Sequence, residues 1–498
     1  MENNNTIEIL VENGISLGDS ISIPMLKTHG RFVEKEEIVE VALSFLEEDM
    51  KVLIVSREAW ALWRLVVENA KKRGLNHFLV DALDIDETQL VHSSLEELLR
   101  ARLIYFSKIS PRIAVLEKKD LSSIKVDRRT VLARGVIGVT LEYKEKPIET
   151  DLCKFREFSR LCRECLTVHG GNVGVVSYSL CSLDVLSIPS YSREAFYSYL
   201  DVLNPRRGFV VFIPRNAMSE FLEKIRRPSI EDIGIVTVPI GCPYAIGIEE
   251  LLYSLYRGLI PLVVDRLEEP LFHDSYCSKG RGIYIDTVVH DYEKLAGKPL
   301  LVRIDDVISI VKEGQEFETG AYSTSYKAGY KARRAAIEYL ASRFKEGRKL
   351  SLETLFIGNV YVDLGRCTLC SACARECPTD ALLFSARADR EELVFRHERC
   401  IACYWCVEVC PHSAIRVVRE LDTARINVEH VLASDEVVHC LNCGKSIGSK
   451  RLVLSVIEKL ASRGINGDRI KVFYLCNECK VKYQLGLIDL NNVEMPSR

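Results

Sequence analysis

One pattern of four cysteines occurs twice in this chain. CTLCSACARECPTDALLF (367–384) and CIACYWCVEVCPHSAIRV (400–417) carry their cysteines at the same spacing, and a proline follows the last cysteine of each. The first three cysteines of such a loop wrap round one face of a metal centre, while the fourth points away from it. The chain must therefore fold so that the two loops lie side by side.

The repeated pattern predicts two four-iron, four-sulfur clusters. In C-x2-C-x2-C-x3-C-P loops, the fourth cysteine ligates the cluster of the other loop. We expect the first [4Fe-4S] cluster to be held by Cys367, Cys370, Cys373 and Cys410. We expect the second [4Fe-4S] cluster to be held by Cys400, Cys403, Cys406 and Cys377.

The residues around the two loops extend the repeat. NVYVDLGRC and ELVFRHERC supply a strand before each loop, and PTDALLF and PHSAIRV supply a short helix after it. Residues 355–420 thus resemble the bacterial-type ferredoxin family with two clusters. The resemblance implies single-electron transfer. Zinc ligation or free thiols, the alternatives, do not explain why both halves share the spacing and the proline.

Four further cysteines lie in the C-terminal segment, residues 421–498. Two C-x2-C pairs flank a stretch with helical spacing, and the first pair continues as CLNCGK, with a glycine that lets amides turn toward sulfur. The segment resembles a zinc ribbon-like domain with a helical insert. We expect one zinc ion, with an iron centre of the rubredoxin type and reduced thiols as alternatives. The ligands would be Cys440, Cys443, Cys476 and Cys479.

A less regular group of cysteines occurs earlier in the chain, in CKFREFSRLCREC and SYSLCSLD. Four thiolates in this region are enough for a further iron–sulfur cluster, although the spacing is irregular and no proline follows the last cysteine. Burial as apolar side chains is the alternative for two of them. The residues are Cys153, Cys162, Cys165 and Cys181.

Length and hydrophobic patterning predict a multidomain α/β and α+β protein. A chain of 498 residues exceeds what one core organises, so about three or four domains are expected. We expect an α/β domain at 1–118, a connection at 119–152 and a second α/β domain at 153–350, before the ferredoxin-like and C-terminal domains. Predicted strands include MKVLIVS and NHFLVDA in the first, and NVGVVSY, GFVVFIP, IGIVTVP, IPLVVD and GIYIDTVV in the second.

The second α/β region carries Cys242 in IGCPYAIGIEELLYSLYRGLIPLVV and Cys277 in HDSYCSKGRG. This stretch resembles the iron–sulfur (delta) subunit of methyl-viologen-reducing hydrogenases, which docks on heterodisulfide reductase and carries a two-iron cluster. The chain lacks most of the paired cysteines that the family uses for that cluster. We therefore expect both residues to be structural cysteines.

Composition and motifs exclude several classes of function. A net charge of -3 gives no basic field for nucleic acid. No apolar run is long enough for a membrane span, and MENNNTIEIL has no export signal, so a cytoplasmic protein with reduced thiols rather than a disulfide framework is expected. No phosphate loop, dinucleotide fingerprint or hydrolase motif occurs.

Three functions are compatible with these features. The first is a non-catalytic electron-transfer subunit of an oxidoreductase, in a hetero-oligomeric complex with redox subunits of the hydrogenase, formate dehydrogenase or heterodisulfide reductase type. The second is a self-contained reductase that binds substrate on its α/β domains. The third is a redox-sensing scaffold or maturation factor.

Overall fold

In the computed structural model of the chain, the described residues are 7–15, 26–111, 115–118, 141–144, 148–149, 186–205, 208–225, 234–265, 277, 281–282, 284–297, 299–312, 330–344, 347–352, 354–355, 357–387, 389–465 and 468–490. They form two compact units. The first takes most of the chain up to Tyr339, and the second takes most of the chain from Phe356 onward. The irregular group of four cysteines, Cys153 to Cys181, lies outside the described residues, so its cluster stays a prediction.

The first unit begins with a sheet of four parallel strands. These are β1 (Ile7–Glu12), β2 (Leu26–Phe32), β3 (Lys51–Ser56) and β4 (Val80–Asp84). The accompanying helices are α1 (Lys35–Glu47), α2 (Ala59–Arg73), α3 (Glu87–Val91) and α4 (Leu95–Lys108). The spatial order is β2–β1–β3–β4, and β3 is buried along its whole length, as expected for a parallel strand covered on both faces.

Local sequence signals set the ends of these helices. Ser94 and Glu97 form a reciprocal capping box at the start of α4, each side chain accepting a hydrogen bond from the backbone amide of the other. Helix α2 ends at Gly74, whose φ of 70° lies in the left-handed region that glycine adopts without strain. The strands predicted at MKVLIVS and NHFLVDA correspond to β3 and β4, and α2 connects them.

A second parallel sheet follows in the same unit, after two short antiparallel pairs. The pairs are β5 (Val115–Lys118) with β6 (Leu141–Lys144) and β7 (Ile148–Glu149) with β8 (Leu186–Ser187). The sheet strands are β9 (Gly208–Pro214), β10 (Gly234–Ile240), β11 (Leu259–Val264) and β12 (Leu301–Val302), in the order β10–β9–β11–β12. The helices are α5 (Arg193–Leu203), α6 (Met218–Ile225), α7 (Ile248–Tyr256), α8 (His290–Ala296) and α9 (Ile304–Lys312). Helix α10 (Tyr330–Arg343) follows, and its residues from Leu340 onward belong to the second unit.

One predicted strand of this region is wrong. GIYIDTVV contains a π-helical turn, Ile285–Val289, that runs directly into α8. Tyr284 and Val288 in this run and Tyr292 in α8 are buried and recur every four positions, which is a helical repeat rather than strand alternation. The β-branched composition of the run favoured a strand, but the spacing of its buried side chains is that of a helix.

A single hydrophobic core joins the two sheets of the first unit. It includes Val52 and Ile54 of β3 together with Val211 and Ile213 of β9. A buried polar network crosses the same interior, centred on the carboxylate of Glu87. This carboxylate accepts hydrogen bonds from Arg102 Nη2 at 2.6 Å, Thr237 Oγ1 at 2.6 Å, Trp60 Nε1 at 3.0 Å and the Asp84 amide at 3.1 Å.

The second unit contains two strand–loop–helix–strand halves. Its strands are β13 (Lys349–Leu350), β14 (Gly358–Val362), β15 (Leu382–Ala386), β16 (Arg390–Arg396), β17 (Ile415–Arg419), β18 (Leu421–Asp422), β19 (Glu429–His439) and β20 (Ser446–Ser449). Its helices are α11 (Ala372–Arg375), α12 (Trp405–Glu408), α13 (Lys450–Ala461), α14 (Asp468–Lys471) and α15 (Asn477–Gln484).

The pairing of these strands brings the two halves together. Strand β14 pairs with β17, and β15 pairs with β16, both antiparallel, so that each half closes on the other. Strand β13 pairs with β18, while β19 and β20 extend the β15–β16 hairpin to a sheet of four strands. The mixture of helices and strands in several sheets fits the predicted α/β and α+β multidomain class. Within the described part of the chain, no helix has the length and apolar character needed to cross a membrane.

Candidate iron–sulfur and metal-binding sites

The two cysteine loops of the second unit share one backbone conformation. In the first loop Leu369 and Ser371 have φ angles of 55° and 61°, and the corresponding Ala402 and Tyr404 of the second loop have 51° and 61°. Non-glycine residues rarely adopt this left-handed region, so its recurrence at matching positions marks a tightly constrained fold. Successive turns of this kind aim backbone amides inward, where they can face anionic sulfur.

The first cysteine group lines one cavity, which includes about 370 Å³ of space with its opening to solvent. Three of its cysteines come from the first loop, and Cys410 reaches the same cavity from the end of the second loop. Phe384, Leu393 and Ile415 contribute apolar walls. The cysteines that the crossed pattern assigned to the first cluster are therefore brought together: Cys367, Cys370, Cys373 and Cys410.

Burial shifts the acidity of this first group. Burial first, and then the neighbouring sulfurs of Cys367, Cys370 and Cys410, together raise the pKa of Cys373 to about 12. Burial also raises the pKa of Cys367, while the amide of Leu369 donates to its sulfur and opposes the shift. These thiols stay protonated at neutral pH unless a metal centre replaces the protons, and loading such a site releases them.

The second group is arranged in the same way. Burial raises the pKa of Cys406 well above its ordinary value, and so do Cys400, Cys403, Cys373 and Cys377 around it. Burial also raises the pKa of Cys403, with Cys377 as a neighbouring contributor and the amide of Trp405 opposing. Cys377, the distant member, thus faces the loop that the spacing assigned to it. Cys373 of the first group is also a neighbour of Cys406, so the two groups lie close together.

Four sulfurs converge in the C-terminal part of the second unit. The Sγ atoms of Cys440, Cys443, Cys476 and Cys479 all lie within 4.8 Å of one another. Tetrahedral zinc with Zn–S bonds of about 2.3 Å requires sulfurs about 3.8 Å apart, and Cys443 and Cys476 are separated by 3.6 Å. The spacing of the sulfurs therefore suits a single metal ion.

Burial and hydrogen bonds shift the pKa values of these four thiols in different directions. Burial raises the pKa of Cys440, but the amides of Cys476, Cys443 and Asn442 lower it to about 6. The Asn442 side chain donates to Cys479 Sγ at 3.3 Å and lowers its pKa, yet burial and the neighbouring cysteine sulfurs raise it to about 12. Cys440 thus offers a thiolate at neutral pH, and an ion bound there would displace the remaining protons.

Two residues beside the predicted ligands were not expected from the spacing. Asn442 is one, since its side chain links the two C-x2-C pairs. His397 is the other: it is fully buried, its Nε2 accepts from the Asp422 amide at 2.8 Å, and its Nδ1 therefore donates to the Gly358 carbonyl at 3.0 Å. Its own carbonyl accepts the amide of Cys400 at 3.1 Å. A polar residue inside or just before a cysteine loop is the only sequence signal for either.

Cys242 and Cys277 are joined by a disulfide in the first unit. The expectation that the cysteines of this chain stay reduced is therefore wrong for this pair. Both residues are buried, and their Cα atoms are 5.8 Å apart, a normal separation for a disulfide. Neither sulfur can ligate a two-iron cluster in this state, and the pair is structural, as expected.

Comparison with known proteins identifies one segment of the chain. The family model of the 4Fe-4S dicluster domain matches residues 359–411, which span both cysteine loops. No curated protein matches the chain. The second unit therefore contains a 4Fe-4S ferredoxin-like domain, and the chain has sites for iron–sulfur clusters.

Proposed function

We propose that the chain is an electron-transfer subunit of an oxidoreductase complex, with two [4Fe-4S] clusters on crossed sets of cysteines. The observation that carries this proposal is the cavity in which Cys410, from the end of the second loop, faces the cysteines of the first loop. The match to the dicluster domain supports the same conclusion. The proposal includes a ferredoxin-like domain at 355–420, the two crossed sets of cysteine ligands and a redox partner subunit.

The chain's own residues favour a relay over a catalytic centre. Clusters of this type pass single electrons when bound. With four thiolates each, the two groups leave no coordination position open for a substrate. Apolar side chains line part of the cavity beside Cys410, and the Ala414 amide donates to Cys410 Sγ at 3.3 Å, which stabilises a charged sulfur.

We further propose that the C-terminal cysteines hold zinc and stabilise the end of the second unit. Apart from the sulfurs, the core around them is small and contains Leu475 and Leu490 as buried apolar residues. The ion pair between Lys445 and Glu478, with N–O distances of 2.9 Å, links the two C-x2-C pairs but lies exposed and contributes little. A metal ion is the stronger link, because its binding free energy becomes folding free energy.

The partner we propose is a redox subunit of the hydrogenase, formate dehydrogenase or heterodisulfide reductase type. We propose that such a subunit docks on the first unit, which contains the parallel sheets. Turnover of a small substrate by the isolated chain would instead support a self-contained reductase. Normal activity of the partner after loss of both clusters would support a scaffold.

The full-length chain, purified without oxygen, tests the relay and the crossing together. We expect about eight irons and eight sulfides, reduction by a low-potential dye, and no turnover without a partner. Cys370→Ser and Cys403→Ser define the spectrum of each damaged cluster. Cys410→Ser should reproduce the spectrum of Cys370→Ser, and Cys377→Ser that of Cys403→Ser. The opposite correspondence would refute the crossing, and a preparation that binds only zinc would refute the relay.

A further inference from the structure

Residues 449–451, in the C-terminal part of the second unit, contact the backbone of the first cysteine loop at two points. Ser449, the last residue of β20, donates its hydroxyl to the Thr368 carbonyl at 2.9 Å, and both residues are buried. Arg451 Nη1 donates to the Leu364 carbonyl at 3.0 Å. These carbonyls lie on either side of Cys367 in the chain. The two contacts therefore fix the backbone on both sides of this cysteine.

This segment is continuous with the four-cysteine group. The Cys440 amide donates to the Lys445 carbonyl at 2.7 Å, so the first C-x2-C pair turns directly into β20. Strand β20 then pairs with β19, with Val437 opposite Ser449. Ser449 also caps α13 by accepting the Leu452 amide at 3.2 Å. The backbone that ends at Ser449 is thus held by ordered hydrogen bonds rather than by a loose loop.

Arg451 is held in place and brings a permanent positive charge to the first cysteine loop. Its backbone amide donates to Asp435 Oδ2 at 2.6 Å, and its Nε lies 3.9 Å from Asp435 Oδ1. Its hydrogen bond to the Leu364 carbonyl places the guanidinium beside the loop backbone, three residues before Cys367. The guanidinium stays charged at every relevant pH. Because 37% of the side chain is exposed, solvent screens part of its field.

We propose that Arg451 is a potential-setting residue for the first cluster. The proposal rests on the proposed function, because it assumes a cluster on the cavity that contains Cys367. Reduction adds one negative charge to the cluster, and a nearby positive charge stabilises the more negative state. Arg451 therefore makes the first cluster easier to reduce, while Ser449 holds the loop in position without adding charge.

The test is a redox titration of the full-length chain, followed by electron paramagnetic resonance so that the two clusters are resolved. At a fixed potential, Arg451→Gln should lower the reduced-to-oxidised ratio of the first cluster three- to tenfold, where tenfold is about 59 mV for one electron. The second cluster should be unchanged, and added salt should diminish the difference between variant and parent. Lys450→Gln is the matched control. Lys450 precedes Arg451 in the chain, and its Nζ lies 3.9 Å from a carboxylate oxygen of Glu436, so this variant should leave the potentials of both clusters unchanged.

Two further variants separate charge from position. Arg451→Lys keeps the charge and should retain the parent ratio. Ser449→Ala removes the contact with Thr368 and the cap on the Leu452 amide but no charge, so it should lower stability without changing the ratio. An unchanged first cluster in Arg451→Gln, or an equal shift of both clusters, overturns the role of Arg451 and leaves the proposed function standing. A parent chain without reducible clusters overturns the proposed function and this role with it.

Discussion

Gly358 is the position at which one methyl group should disturb one cluster and spare the other. It begins β14, and a Cβ atom there would lie 2.9 Å from Cys400 Sγ, 2.9 Å from Val417 Cγ1 and 3.1 Å from Ala402 Cα. Heavy atoms in normal contact are about 3.5 to 4.0 Å apart, so each neighbour must give way by roughly half an ångström to one ångström. Two of the three atoms belong to the second cysteine loop.

The expected cost of Gly358→Ala follows from this overlap. Overpacking a well-packed interior costs about 1 to 3 kcal/mol, and the smaller entropy of an unfolded alanine offsets about 0.4 to 1 kcal/mol of it. The φ of Gly358 lies outside the left-handed region, so the backbone adds no strain of its own. We expect a loss of about 1 to 2 kcal/mol in the free energy of unfolding of the second unit. The spectrum of the second cluster should change, because Cys400 must move.

Denaturant unfolding and electron paramagnetic resonance of the anaerobic full-length chain measure both effects. Gly365→Ala is the matched control: its new Cβ would meet only the Asp363 carboxylate, at 3.3 Å. That side chain is exposed, and it accepts the Gly365 amide at 2.9 Å and pairs with Arg366 at 3.5 Å. The control should change stability by less than about 0.5 kcal/mol. If Gly358→Ala behaves like the control, or alters the first cluster alone, Cys400 does not pack against Gly358 of β14.

Three other outcomes are expected. Cys242→Ser should lower the free energy of unfolding of the first unit by about 4 kcal/mol, because its disulfide spans 35 residues; an unchanged unfolding curve would contradict this. Burial raises the pKa of Glu250 from 4.5 to about 6 although Arg193 opposes it, so the stability this carboxyl provides is present below pH 4.5 and about 2 kcal/mol is lost as pH rises through 6. Glu250→Gln should remove that slope, and an identical pH profile would exclude the effect. Chelation of the metal ion proposed for the C-terminal cysteines should remove hydrogen-exchange protection from residues 468–490 first, whereas uniform loss across the chain would argue against such a site.

Short apolar runs were sufficient to predict most of the parallel strands. GFVVFIP, IGIVTVP and IPLVVD form β9, β10 and β11, because buried parallel strands have little choice but to be continuously apolar. The strand predicted at GIYIDTVV is wrong because eight residues are too few to show the helical spacing. Over a longer stretch, Tyr284, Val288, Tyr292 and Leu295 follow the spacing of a helix, and all four are buried.

Some features of the candidate sites follow from local sequence, and others depend on contacts between distant segments. Cysteine spacing is local, and it identified both loops and the four sulfurs that converge near the C-terminus. The disulfide between Cys242 and Cys277 depends on how distant segments pack, and spacing contains nothing about that. The contact of Arg451 with Leu364 is also long-range, since it joins residues 87 positions apart. Such contacts arise from tertiary packing, which no local pattern encodes.

Strand β19 protects an edge of β16 that is exposed while the chain is being synthesised. It pairs with β16 from Arg390 to Arg396, so this edge of the β15–β16 hairpin is covered once β19 is in place. A growing chain that has not yet produced residues 429–439 leaves a row of unpaired amides and carbonyls along β16. Such an edge invites pairing with another nascent chain on the same message. The sequence of β16, REELVFR, places four charged residues along that edge, which discourages such pairing during synthesis.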